Sequence, residues 1–305
     1  MNTSINFKEL YQYAVSIGCD AAENEKMSLN TSFKTGGPCA VRLSPDSAEQ
    51  IKSIIEKANE LCVPFTVLGN GTNVLVPDEG IEKAIIVIGD KSSHISLEGE
   101  DTVCFSAGTN LASLCRFALE HSLSGLEFAF GIPGTCGGAI YMNAGAYGGE
   151  IKDVLTEVTH LTPTAETETV SAQDLALSYR HSAYKDNGCV ILFAKVKLKK
   201  DTRENIKSRM DDFLNRRKSK QPLEYPSAGS TFKRPEGHFA GALIEQCNLK
   251  GKTVGGAQVS EKHAGFVINK GGATSSDILN LIDLIRRTVK SQTGVTLEPE
   301  VIILR

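Results

Sequence analysis

Residues 131–150 read GIPGTCGGAIYMNAGAYGGE, and seven of these twenty residues are glycine. Glycine loses the most backbone freedom on folding, about 0.5–1 kcal/mol per position in a regular element. So dense a run is not ordinary core. Met142, Asn143 and Tyr147 are interspersed, which sets it apart from a floppy Gly/Ser linker. The pattern predicts a loop that bends tightly or lies against something bulky, wrapped around a large ligand.

Upstream, Val67–Val76 reads VLGNGTNVLV after an apolar run with strand character. Successive N–H groups of Gly69, Asn70, Gly71, Thr72 and Asn73 in such a turn would form a concave anion site suited to a pyrophosphate. The stretch lacks the third glycine and following helix of a Rossmann fingerprint, and the Lys-Ser/Thr of a P-loop. Alone, it reads first as a plain turn between strands. Taken with the 131–150 run, it suits a dinucleotide held between two small domains.

The 305 residues allow two or three domains. Apolar periodicity predicts helices over 4–18 (Ile5, Phe7, Leu10, Tyr13, Ala14, Ile17), 46–62, 110–122, 201–218 and 276–292. The last is bracketed by Ser275/Ser276 and Gly294. Short apolar runs at PFTVLG and IEKAIIVIG predict strands, alternation over 93–108 a hairpin, and 154–161, 167–171 and 189–199 further strands.

Hydrophobic residues make up 41% and charged residues 23%, and the net charge is −3. Neither nucleic acid nor an anionic membrane is favoured as a partner. The N-terminal stretch has no apolar signal region, and no run approaches the ~18 apolar residues needed to span a bilayer. A cytoplasmic protein is expected. The eight cysteines are scattered, with no CxxC pair and no histidine at zinc spacing, so free thiols and no metal site are expected. Cys136 lies inside the glycine-rich run, but no base stands near it in sequence to activate a nucleophile.

Six stretches in order resemble the UDP-N-acetylenolpyruvoylglucosamine reductases. They are LGNGTNVLV, GIPGTCGGAIYMNAGAYGGEI, YRHS at Tyr179–Ser182, PSAGSTFKRPEG at Pro226–Gly237, KHAGFVIN at Lys262–Asn269 and LEPEV at Leu297–Val301. The stretches run from Leu68 to Val301, and the resemblance covers roughly residues 30–305. GHFAGALIEQ after the serine motif is similar to the shorter, second type of this family, which lacks an inserted substrate-covering region. The resemblance implies an α+β fold of three domains: two forming a vanillyl-alcohol-oxidase-like FAD-binding unit (1–90 and 91–200), and a C-terminal substrate domain (201–305) whose last residues could return to the FAD unit.

It also implies bound FAD, NADPH as co-substrate and a UDP-sugar substrate, in a monomer or weak oligomer. FAD contacts would come from Gly69, Asn70, Gly71, Thr72 and Asn73, and from Gly131, Ile132, Pro133, Gly134, Thr135, Gly137, Gly138, Ala139, Gly145, Tyr147 and Gly148. Close approach of backbone to a flat ring suits glycine. Arg180, Ser230 and Glu300 would be catalytic, drawn from two domains, and Lys220 would bind substrate.

Read alone, each residue has a plainer account. Ser230 is a turn residue beside Gly229. Arg180 is a surface arginine or a partner of Asp174. Lys220 ends a basic run, RRKSK, that suits a helix C-terminus as well as it suits an anionic ligand. His263 reads as a structural hydrogen-bonder rather than an acid or base. Two departures stand out. Arg234 occupies a position that is Asn in the classical form. Ile302 occupies one that is commonly Arg, a role Arg305 could take over. An FAD oxidase of the same broad fold and a non-catalytic nucleotide-binding module are the competing readings.

Overall fold

A computed structural model describes residues 3–304, with side chains from Asn6 onward. Ile5's side chain and Arg305 therefore lie outside the described residues. The helices are α1 (Thr3–Ser16), α2 (Ala48–Glu60), α3 (Leu111–Glu120), α4 (Cys136–Tyr141), α5 (Arg203–Lys220), α6 (Ala240–Gln246) and α7 (Ser275–Thr293). The chain forms two compact units. One comprises the segments up to Glu23, Ala40–Asn70 and Lys83–Arg216; the other comprises Asn24–Cys39, Gly71–Glu82 and Arg217 onward.

The first unit is built on two larger sheets. Strands 20–23, 39–44, 81–87 and 65–68 lie in that order, with 65–68 parallel to 81–87. Helix α2 buries Ile51, Ile54, Ile55 and Ala58, and begins where the Ser47 hydroxyl accepts the Gln50 N–H. The second sheet orders its strands 167–171, 155–161, 190–197, 102–106 and 95–98, all antiparallel. Helix α4 packs on α3 and on strands 102–106 and 190–197. The position 90/91, expected as a domain boundary, separates these two sheets within one unit.

Helix α5 buries Ile206 and Met210. From the same helix Arg209 reaches Glu127 at 2.7 Å and Asp201 at 2.6 Å. Glu127 is almost fully buried. Burial works to raise its pKa, but the Arg209 guanidinium and nearby N–H groups hold it below the ordinary value.

In the second unit, strands 253–254, 257–259 and 267–269 form an antiparallel sheet. Helix α7 buries Ile278, Leu281, Ile282, Ile285 and Val289 against α6 and this sheet. Thr274, one residue before the expected start, caps α7 in a reciprocal box with Asp277, and Gly294 ends it at φ 76°. Two ties recruit residues 71–82. Ile302–Ile303 pairs in parallel with Val74–Leu75. Asp78 accepts the N–H groups of Ser275 (2.7 Å) and Ser276 (2.9 Å) and the Ser276 hydroxyl (2.7 Å). Among the described residues, no helix is long and apolar enough to cross a membrane, and no group of three or more His, Cys, Asp or Glu is placed to hold a metal.

These caps predict an acid sensitivity. Burial tends to raise the Asp78 pKa, but the bonds from Ser276 and Ser275 lower it overall; the Thr274 and Gly256 N–H groups lower that of Asp277. A carboxyl depressed in the folded state contributes stability above its unfolded pKa, about 3.9, and loses it as pH falls through the folded value. Asp78→Asn should cost ~1 kcal/mol at neutral pH, the worth of a helix cap, and flatten the loss between about pH 5 and 3. Melting temperatures across that range check this; an unchanged acid slope in the variant would contradict it.

Candidate active site

The glycine-rich run is not loop throughout. It contains α4, capped by Thr135, whose hydroxyl accepts the Gly138 N–H at 3.3 Å. A short hairpin, 145–146 with 149–150, follows. Several of its glycines serve protein packing. A Cβ at Gly137 would lie 2.8 Å from the Ala107 Cβ, and one at Gly149 2.6 Å from the Phe128 ring. The two glycine segments meet, since a Cβ at Gly69 would lie 2.2 Å from the Thr135 hydroxyl. Gly138 is different: it is exposed, and a Cβ there would meet only the Thr135 hydroxyl at 3.5 Å.

Beside this run a cleft of about 530 Å³ is lined by Asn110, Ser113, Arg116, Gly131, Ile132 and Pro133, among others. Its volume lies in the ordinary range for ligand sites. Asn110, whose side chain caps α3 by accepting the Ala112 N–H, and Ser113 and Arg116 on the polar side of that helix escaped the sequence reading, because a cap and two polar helix residues look like ordinary solvated positions. Tyr147, half exposed, stacks face to face on Phe213 of α5 with ring centroids 4.7 Å apart. Cys136 is buried, and burial pushes its thiol well above the ordinary pKa, as suits a structural packing cysteine.

Arg180 is displayed by a tight turn. Ser178 and His181 exchange both backbone hydrogen bonds, and Arg180 sits third in the turn at φ 54°. That position in a four-residue turn usually falls to Gly or Asn. The Arg180 guanidinium donates to the Gly145 carbonyl at 3.2 Å and lies 5.1 Å from the Tyr179 ring centroid.

In the second unit three motifs converge on Thr231. Its N–H donates to the Gly265 carbonyl at 2.9 Å, its hydroxyl accepts the Val267 N–H at 2.9 Å, and its carbonyl accepts the Glu300 N–H at 2.8 Å. The Phe232–Pro299 bridge and the Lys233 N–H on the Glu298 carbonyl extend this pairing. Ser230 is thus fixed as an exposed residue on the segment paired with the one bearing half-buried Glu300. Asn73 Nδ2 donates to the Glu300 carbonyl at 3.2 Å, so the Gly71–Asn73 part of the upstream loop joins this cluster. Arg180 belongs to the first unit, and Ser230 and Glu300 to the second.

The remaining candidates fall out separately. Lys220 is exposed at the end of α5. Its basic run is not uniformly solvated, because Arg217 is buried and donates to Gln221, while Arg216 bonds Asp212. Arg234 lies over the Phe239 ring at 4.4 Å. His263 accepts the Gly265 N–H on Nδ1, and burial lowers its pKa, as suits a structural histidine. Ile302 pairs with Val74.

Comparison with known proteins adds the decisive observation. A model of the UDP-N-acetylenolpyruvoylglucosamine reductase C-terminal domain matches residues 221–304, and an FAD binding domain model matches 39–171. The UDP-N-acetylenolpyruvoylglucosamine reductase of Syntrophomonas wolfei is 47% identical over 278 residues, 91% of this chain and 93% of that one. That of Agathobacter rectalis is 49% identical over 290 residues, 92% of each. The chain belongs to the UDP-N-acetylenolpyruvoylglucosamine reductase family. The crystal structure of the Thermus caldophilus reductase superposes with a TM-score of 0.79 at 33% identity, covering 94% of this chain and 99% of that one.

As a member of that family, the chain is a flavin oxidoreductase with FAD as cofactor and NADPH as co-substrate. The first unit fits such a group: it offers a cleft, and at Gly138 an exposed glycine with no protein neighbour that requires it. Elsewhere in a helix, Ala in place of Gly gains about 1 kcal/mol. The expectation that FAD lies against Gly138 has a direct test: Gly138→Ala should raise the melting temperature of the flavin-free protein and weaken FAD binding at least about tenfold, because the new methyl would stand where the ligand is expected. Flavin fluorescence titration measures the second effect; unchanged affinity would show that nothing presses on Gly138.

Proposed function

We propose that Arg180, Ser230 and Glu300 carry the family's reaction in this chain, the reduction of the enolpyruvyl ether of UDP-N-acetylglucosamine enolpyruvate to UDP-N-acetylmuramate in peptidoglycan precursor synthesis. Bound FAD supplies the hydride, drawn from NADPH, to the methylene carbon of that ether. The loops at 69–73 and 131–148 would hold the cofactor, the first at its diphosphate and the second along its ring. Arg180's planar fork pairs with the substrate carboxylate and stabilises the enolate that hydride addition creates. Ser230 gives its hydroxyl proton to the α carbon. A serine is a weak acid, but a carbanion within hydrogen-bond reach is basic enough to take its proton. Glu300 supports the enolate or orients its neighbours. Lys220 meets the anionic part of the substrate.

The observation that carries this reading is the three-way anchoring of Thr231. It holds the residue after Ser230 against Gly265, Val267 and Glu300 without using the serine hydroxyl. A UDP-sugar and NADPH are cytoplasmic metabolites, so the enzyme would work there, as a monomer or weak oligomer without nucleic acid.

Anaerobic stopped-flow separates the two half-reactions. Ser230→Ala should leave flavin reduction by NADPH near normal and slow reoxidation by the enolpyruvyl UDP-sugar about 10²–10⁴-fold. Equal slowing of both steps would remove Ser230 as proton donor. Arg180→Lys should slow the same second step about 10²-fold, since a point charge cannot replace the fork. Normal turnover in that variant would take Arg180 out of the mechanism.

A further inference from the structure

Asn143 has no side-chain role in the reading above, yet it is wholly buried and adopts left-handed backbone at φ 42°. Its amide makes three bonds. Oδ1 accepts the Lys152 N–H at 3.0 Å, and Nδ2 donates to Glu150 Oε2 at 3.0 Å and to the Ser178 carbonyl at 2.9 Å. The partners fix the amide's orientation: a backbone N–H can only donate, and a carboxylate and a carbonyl can only accept.

Ser178 is the first residue of the Arg180 turn. Two further bonds tie that turn to the same stretch. Buried Ser182 donates its hydroxyl to the Tyr141 carbonyl at 2.8 Å, and Arg180 donates to the Gly145 carbonyl at 3.2 Å. The turn is therefore fastened to residues 141–145 at both ends and at its tip. Asn143 supplies the clamp at the start, and it also gathers Glu150 and Lys152. The Glu150 carboxyl is held below its usual range by its bond to Lys152, with Asn143 and the nearby Arg180 charge adding to the effect.

We propose that Asn143 is a positioning residue for Arg180: through the Ser178 carbonyl and Glu150 it fixes the turn that aims the guanidinium. This rests on the assignment of Arg180 to the second half-reaction. A left-handed arginine is strained, and the surrounding bonds must over-determine it. Freed from the Asn143 clamp, the turn can relax and the guanidinium shifts. A displacement of about 1 Å at a positioned group costs on the order of 10²-fold in rate.

Asn143→Asp keeps the shape and the acceptor for Lys152 but turns a carboxylate onto the Ser178 carbonyl and Glu150. Asn143→Gly keeps the left-handed backbone and covers the case in which a buried carboxylate prevents folding. In the FAD-loaded enzyme, both should be reduced by NADPH within about 3-fold of the parent rate and reoxidised by the enolpyruvyl UDP-sugar about 10–100-fold more slowly. Amides of residues 177–182 should exchange deuterium faster. In an Arg180→Ala background, Asn143→Asp should add no further slowing. Equal loss in both half-reactions, unchanged exchange at 177–182, or multiplying effects in the double variant would overturn the proposal. If Arg180→Ala slows reoxidation and the Asn143 variants do not, positioning by Asn143 fails alone. If Arg180→Ala leaves reoxidation intact, the assignment of Arg180 fails and takes this proposal with it.

Discussion

Left-handed backbone costs a side chain with a β-carbon roughly 1–2 kcal/mol, and Arg180 sits there at φ 54°. Such a conformation persists only where its surroundings leave it no alternative. The reciprocal Ser178–His181 bonds, the Ser182 hydroxyl on Tyr141 and the Asn143 amide on Ser178 provide that restraint. The last two depend on α4 and the residues just after it holding their place. The packing of Gly137 on Ala107 and of Gly149 on Phe128 fixes that stretch against the first unit's core. The glycine-rich run thus builds the floor on which the Arg180 turn is mounted, and it leaves Gly138 exposed with no protein neighbour that requires a glycine.

The second unit solves a parallel problem with different parts. The role proposed for Ser230 calls for an exposed hydroxyl on a rigid segment. The rigidity comes from its neighbour, as Thr231 engages three separate partners through its N–H, carbonyl and hydroxyl. Residues 71–82 belong to this unit because Val74–Leu75 pairs with Ile302–Ile303 and Asp78 caps α7. The glycine turn at 69–73 accordingly has its first residues in one unit and its last in the other.

Much of this was legible in the sequence. Amphipathic periodicity placed α2, α3, α5 and α7 to within a few residues, and alternation at 93–108 with the β-like runs after the glycine-rich stretch located the strands, though not the order, of the five-stranded sheet. Ordered motifs identified the family. Helix α6 and strands 20–23 and 39–44 went unread, and three further features that bear on the site were not legible. Helix α4 was hidden because glycine at 137 and 138 opposes helix propensity, and tertiary packing overrides it. The grouping of 71–82 with the C-terminal residues depends on pairing between segments far apart in sequence, which local patterns do not encode. Asn143 was read only as one of the residues that stiffen the glycine-rich run, and its three buried bonds are what set it apart.

The central claim is that this chain passes a hydride from NADPH through bound flavin to an enolpyruvyl UDP-sugar. The most direct measurement is anaerobic: reduce the FAD-loaded protein with one equivalent of NADPH, then add the UDP-N-acetylglucosamine enolpyruvate and follow flavin absorbance. The account predicts rapid, stoichiometric return of the oxidised flavin spectrum with UDP-N-acetylmuramate as product. Flavin that stays reduced until oxygen is admitted would contradict it.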